Sequence, residues 1–185
     1  MTETLRILLV DDDDAELELW EKGLRRVAPN LRIKCVGSGQ EAIRYLMGEG
    51  PFADRVACPY PTLILCDLKM PQGDGFEVLH HLKANPAWAV IPTIIMSGSA
   101  DPDDINSAYQ LGASSFLVKP TSFDDLCALL KALLNFWSLS QIPVVDASGR
   151  HLKTLAEFKL GAKYVNGIQK RYQTERPPKD AAQPP

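Results

Sequence analysis

Short apolar runs alternate along the chain with stretches in which apolar residues recur every third or fourth position. The runs lie at about residues 5–10, 31–36, 62–67, 92–97 and 115–118. They are brief, rich in Ile, Leu and Val, and bounded by turn residues, as buried strands are. Leu17, Trp20, Leu24 and Val27 share one helical face after the first run, Phe76, Leu79 and Leu82 after the third, and Ile105, Ala108 and Tyr109 after the fourth. After the fifth run Phe123, Leu126, Leu130, Leu133 and Trp137 form a stripe, with Thr121 or Ser122 placed to cap the helix. Strand and helix alternating five times predict an α/β domain: a five-stranded parallel sheet with helices on both faces. Right-handed crossovers lead to the strand order 2-1-3-4-5, which sets the ends of strands one and three side by side.

Gly and Pro break the pattern where this scheme needs turns, at Gly37 and Gly39, Pro51 and Pro61, Pro92, and Gly112. The loop from Gly50 to Tyr60 is longer than most αβ connections. From Gln141 the character changes. Ile142-Pro143-Val144-Val145 is followed by the turn-like Asp146-Ala147-Ser148-Gly149 and then by helical spacing through Leu152, Leu155, Phe158, Ala162, Val165 and Ile168. Gly161 and Gly167 weaken that helix, and the last ten or so residues read as disordered. The sequence thus divides into a domain of residues 1–140 and a partly helical extension of residues 141–185.

The strand ends carry the chemistry. The first run stops at Asp11-Asp12, the third at Asp67, the fourth at Ser97 and the fifth at Lys119-Pro120. In an open parallel sheet, ligands gather at these carboxyl ends where the strand order reverses. Carboxylates converging there need a counter-charge, since each raises the pKa of the next, and a divalent cation such as Mg2+ with its oxygen ligands supplies one. Asp11 and Asp12 suit that role, while Asp13 and Asp14 read as an acidic helix start. Asp67 has no adjacent base and is a candidate carboxylate nucleophile. Lys119 and the Ser97 hydroxyl could then each hold an oxygen of a transferred phosphoryl group, and the metal the third.

Charge and composition narrow the classes. The net charge of −3 hides an acidic stretch before Leu139 and an excess of Lys and Arg after Gln141. Those cations (Arg150, Lys153, Lys159, Lys163, Lys170, Arg171, Arg176, Lys179) are thinly spread, as on a solvated helix face, so nucleic acid is not the expected partner. No apolar run approaches the roughly 20 residues of a membrane span and the start lacks signal-peptide character, which predicts a cytoplasmic protein without a membrane partner. Cys35, Cys58, Cys66 and Cys127 share no C-x-x-C spacing and read as reduced thiols. His80, His81 and His151 read as surface residues.

Residues 5 to about 138 resemble a response-regulator receiver domain of two-component signalling. Asp67-Leu68-Lys69-Met70-Pro71-Gln72-Gly73-Asp74-Gly75 is similar to the family's phosphoacceptor signature, Leu9-Val10-Asp11-Asp12 to its acidic pair, Ser97 to its switch hydroxyl, and Lys119-Pro120 to its lysine followed by a cis-proline bond. The resemblance implies a flavodoxin-like receiver fold and a phosphorelay role. Asp67 would accept a phosphoryl group from a histidine kinase or phosphotransfer protein. Asp11, Asp12, Asp67 and the backbone carbonyl of Lys69 would hold Mg2+, and Phe116 would move inward as Ser97 closes on the phosphoryl group. Asn85-Pro86, Ile91-Pro92 and Leu134-Asn135-Phe136-Trp137 further resemble stand-alone receivers that partner bacterial phytochrome-type histidine kinases.

By this resemblance the protein is no enzyme beyond its own phosphoryl transfer and dephosphorylation. An extension of about 45 residues is too short for a DNA-binding output module, so output is expected through protein contacts. The apolar surplus on the fifth helix predicts a homodimer through helix four, strand five and helix five, the alternative being cover by the tail helix through Leu152, Leu155 and Phe158. Three rivals remain: a phosphatase using Asp11 and Asp13, a flavin-binding module, and a DNA-binding regulator acting through the basic tail. Acids in place of a Ser/Thr/Gly-rich loop after Val10 disfavour the flavin.

Overall fold

In a computed structural model the described residues are 5–143, 145, 146 and 149. The tail helix expected from Leu152 onward and the disordered end lie outside them. Five strands, β1 (Arg6–Val10), β2 (Arg32–Val36), β3 (Leu63–Asp67), β4 (Thr93–Ser97) and β5 (Ser115–Val118), form one parallel sheet in the order β2-β1-β3-β4-β5. Each expected strand is present to within a residue of its expected start. The helices are α1 (Asp14–Val27), α2 (Gly39–Met47), α3 (Gly75–Ala84), α4 (Pro102–Gln110) and α5 (Phe123–Leu139).

Alternation along β1 divides the core in two. Ile7 and Leu9 point to one face with Trp20 and Leu24 of α1 and Leu126, Leu130 and Leu134 of α5, while Leu8 and Val10 point to the other with Ala42, Leu46, Val78, Leu79 and Leu82. The register pairs Val10 with Cys66, so the next residues, Asp11 and Asp67, leave the sheet side by side. Asp67 in turn pairs with Met96, and Ser97 with Val118, which puts Ser97 and Lys119 one step further along the same edge.

Each helix start has a side-chain cap on a free backbone N–H: Asp13 on Ala15, Ser38 and Asp74 three residues ahead, Asp101 on Asp103, and Ser122, rather than Thr121, on Asp125. The fully buried line of α5 is Leu126, Leu130 and Leu134. Leu133 and Trp137, expected on it, are half-buried, because an exact four-residue step keeps Leu134 over the sheet and turns its neighbours aside. Tyr109 is likewise half-exposed, and its hydroxyl accepts the Phe116 N–H at 3.3 Å.

The long loop after α2 is built around Arg55. Its guanidinium donates to the carbonyls of Tyr45 and Leu46 in the last turn of α2 and to that of Cys58, and it lies 4.1 Å above the Tyr60 ring. Beyond α5, Val145 is buried in the core, so the compact unit continues past the boundary expected at residue 140. All four cysteines are free thiols, Cys58 and Cys66 buried and the other two partly exposed. Among the described residues no helix is long and apolar enough to cross a membrane.

Candidate functional site

At the carboxyl edge of the sheet Lys119 Nζ lies 2.7 Å from Asp11 Oδ2 and 2.7 Å from Asp67 Oδ1. The remaining oxygen of each carboxylate accepts a backbone N–H: Asp11 Oδ1 from Asp13 at 3.0 Å, and Asp67 Oδ2 from Lys69 at 2.7 Å. Asp11 is 2% and Asp67 7% exposed. Two ionised carboxylates at that depth are tolerable only because one ammonium and two amides neutralise and solvate them.

Burial pushes the Asp67 carboxyl above its ordinary range, against the pull of the Lys119 ammonium. For Lys119 burial acts to lower the pKa, and the hydrogen bonds to Asp11 and Asp67 outweigh it, so the amine is held protonated beyond its ordinary value. The structure brings Asp11, Asp67 and Lys119, three of the residues expected at this edge, within ion-pair distance of one another. The Lys119 ammonium supplies one counter-charge to this pair of carboxylates.

The other expected residues border this trio. Asp12 is exposed, and no side-chain hydrogen bond among the described residues ties it to Asp67. Ser97, 3% exposed at the end of β4, accepts the Ser99 N–H at 3.2 Å. Phe116 is half-buried and packs against the α2/α3 side of the core. The cis bond expected before Pro120 is absent: the Lys119–Pro120 bond is trans, as are all those described. The trans form is the lower-energy isomer of an X–Pro bond by about 0.5–1 kcal/mol, and with it Lys119 already reaches both carboxylates.

Two participants were not anticipated. Glu16, in the first turn of α1, has Oε2 3.5 Å from Lys119 Nζ and accepts the indole N–H of Trp20 at 3.2 Å. The Glu16/Trp20 spacing of four was the available signal. The Lys69 ammonium, exposed beside the Asp67 loop, pairs with Asp104 of α4 at 3.0 Å, a contact with no local signature. Asp13, the second acid that a phosphatase would need, is occupied in capping α1.

Backbone packing fixes the loop after Asp67. A Cβ at Gly75 would stand 2.7 Å from the Asp67 carbonyl oxygen and 3.2 Å from Leu68 Cα. Gly75→Ala is therefore expected to destabilise the fold by about 2 kcal/mol, the typical cost of overpacking. Denaturant midpoints of the two proteins check this, and an unchanged midpoint refutes it.

The donor set suits a hard divalent cation in part. Asp11 and Asp67 turn oxygens onto a single cationic point, and the Lys69 peptide adjoins Asp67. Among the described residues no group of three His, Cys, Asp or Glu side chains is preassembled for a metal, so a pair is ready and Asp12 would have to join it.

Residues 7–131 match the family model of the response regulator receiver domain. The chain belongs to this family. It is 31% identical over 131 residues to the response regulator Rcp1 of Synechocystis sp., covering 71% of this chain and 87% of Rcp1. The structure of the Mn2+-bound form of Rcp1 aligns at 30% identity with a TM-score of 0.67, covering 76% of this chain and 99% of that one. The phosphorylated cyanobacterial phytochrome response regulator RcpA aligns with a TM-score of 0.70 at 32% identity, covering 76% of this chain and 99% of RcpA. For RPA3017, a response regulator in red light signalling of R. palustris, the TM-score is 0.71 at 30% identity, with coverage of 76% and 99%. This receiver thus has the five-stranded doubly wound fold of its relatives.

Proposed function

We propose that this receiver is a phosphoacceptor signalling protein in which Asp67 takes a phosphoryl group from a histidine kinase or phosphotransfer protein. The supporting observation is the Lys119 ammonium bridging Asp11 and Asp67 at 2.7 Å each. An Asp67 carboxylate oxygen attacks the phosphorus of a phosphohistidine; the new O–P bond forms as the N–P bond breaks, and the imidazole leaves with a proton. Lys119 is already beside the nucleophile and is suited to hold one phosphoryl oxygen, and the buried Ser97 hydroxyl to donate to another. Asp11, Asp12, Asp67 and the Lys69 carbonyl are the residues that would hold Mg2+, which at this position neutralises charge on the phosphoryl oxygens. Phe116, packed half-buried next to β4, would follow Ser97 as the switch.

The same reading makes a phytochrome-type histidine kinase the upstream partner, by likeness to RcpA and RPA3017. Output passes through protein contacts in the cytoplasm, residues 141–185 form an extension to the receiver rather than a nucleic-acid-binding module, and turnover is limited to the protein's own aspartyl phosphate. Incubation with acetyl phosphate should give a base-labile adduct mapped to Asp67, formed with Mg2+ and not with EDTA. An adduct on another residue, or one indifferent to EDTA, would overturn the assignment.

Self-association belongs to this reading. Tyr109 of α4, Val118 of β5, and Phe136 and Leu139 of α5 are all large apolar residues left exposed, at 50%, 47%, 63% and 84%. A symmetric dimer through α4, β5 and α5 would cover such a surface. Sedimentation of the full chain should give a dimer that tightens on phosphorylation. A full-length monomer that dimerises only when the chain ends at Ser140 would instead make the tail the cover.

A further inference from the structure

Glu16 is the one acid within ion-pair distance of Lys119, among the described residues, that neither the proposed cation set nor the capping of α1 uses. Asp13 and Glu16 have the spacing of a capping box, in which Glu16 would reach back to the Asp13 N–H. That N–H is given instead to Asp11 Oδ1 at 3.0 Å. The Glu16 carboxylate turns sideways, fixed at Oε2 by the indole N–H of the fully buried Trp20 at 3.2 Å, and stands 3.5 Å from the Lys119 ammonium. Lys119 is thus shared by three carboxylates, two of them the pair that would also hold a cation. Cation and ammonium compete for the same two oxygens, and like charges cannot both occupy that centre.

We infer that Glu16 is a positioning residue that holds the Lys119 ammonium within the site when a divalent cation takes Asp11 and Asp67. This rests on the cation site of the preceding section. Glu16 lies on α1, is anchored by a core tryptophan, and needs no movement to receive an ammonium already 3.5 Å away. Lys119 has a side chain only 16% exposed, so losing both of its short partners without a third would leave a poorly solvated cation. Glu16 therefore lowers the cost of admitting the metal and keeps the lysine in reach of the phosphoryl group.

The test is a Mg2+ titration by calorimetry on the full chain in four forms: wild type, Glu16→Gln, Lys119→Met and the double variant. Gln keeps an acceptor for the Trp20 indole while removing the charge. Glu16→Gln is expected to weaken Mg2+ binding about fivefold in the wild-type background, and by less than about twofold once Lys119 is Met, the difference being the coupling between the two residues. Equal effects in the two backgrounds would mean that Glu16 acts only as a nearby charge, and would overturn the inference while leaving the cation site standing. Loss of binding on Glu16→Gln in both backgrounds would make Glu16 a ligand and overturn it as well. A wild type that binds no Mg2+ would overturn the cation site itself.

Discussion

Asp67→Asn is expected to abolish labelling by acetyl phosphate, a fall of about two orders of magnitude or more, while the protein remains folded. The amide keeps the size of the carboxylate and can still meet the Lys69 N–H and the Lys119 ammonium through its oxygen, but it has no anionic oxygen to attack phosphorus. Without a divalent cation, burial raises the Asp67 pKa above the ordinary 3.8, so the ionised form is lost as the pH falls through that higher value. Labelling of Asp67→Asn at the wild-type rate would place the phosphoacceptor elsewhere.

Replacing Lys119 has the second large effect, and its first consequence is on stability. Lys119→Met leaves Asp11 and Asp67 buried, adjacent and without a cation, and breaking a buried ion pair from one side costs about 3–5 kcal/mol. A loss of about 3 kcal/mol at neutral pH without divalent cation is expected. In the wild type the raised Lys119 pKa means that this stabilisation is fully present below the unfolded amine's ordinary 10.5 and is lost only as the pH rises through the higher folded value. Saturating Mg2+ should restore much of the loss in the variant, since a ligand at about 100 times its Kd adds about 2.7 kcal/mol. Urea unfolding of both proteins with and without Mg2+ measures this. A variant as stable as wild type in EDTA would mean that the carboxylates are not held by Lys119. With the ammonium gone, phosphorylation should also lose its coupling to association through α4, β5 and α5.

Local pattern carried most of the fold. Strand positions follow from brief apolar runs between turn residues, because a strand buried on both faces must be apolar at every position; β3 and β4 are buried at all five. With the strand order set by right-handed crossovers, it followed that Asp11 and Asp67 would be neighbours and that Ser97 and Lys119 would share their edge. The acidic start of α1 at Asp13-Asp14 and a cap of α5 at Thr121 or Ser122 were legible for the same reason, since helix-end effects act over a few residues; that Asp13 itself is the cap was not read.

What the sequence by itself determined, then, is which side chains reach this edge; tertiary structure decided how they pair there. Lys119 meets Asp11 across 108 residues of chain, and only the assembled sheet makes its ammonium the charge that satisfies both carboxylates. The same holds for Glu16, whose capping-box spacing gives no hint that Asp11 takes the Asp13 N–H and releases the Glu16 side chain toward Lys119. Lys69 and Asp104 pair because α4 comes to lie beside the β3–α3 loop, and Arg55 ties its long loop to the carbonyls of the last turn of α2. Periodicity reports burial, a property of each residue against the mean of its surroundings, whereas ion pairing depends on a few ångströms between particular atoms, and those distances exist only after the strands have packed.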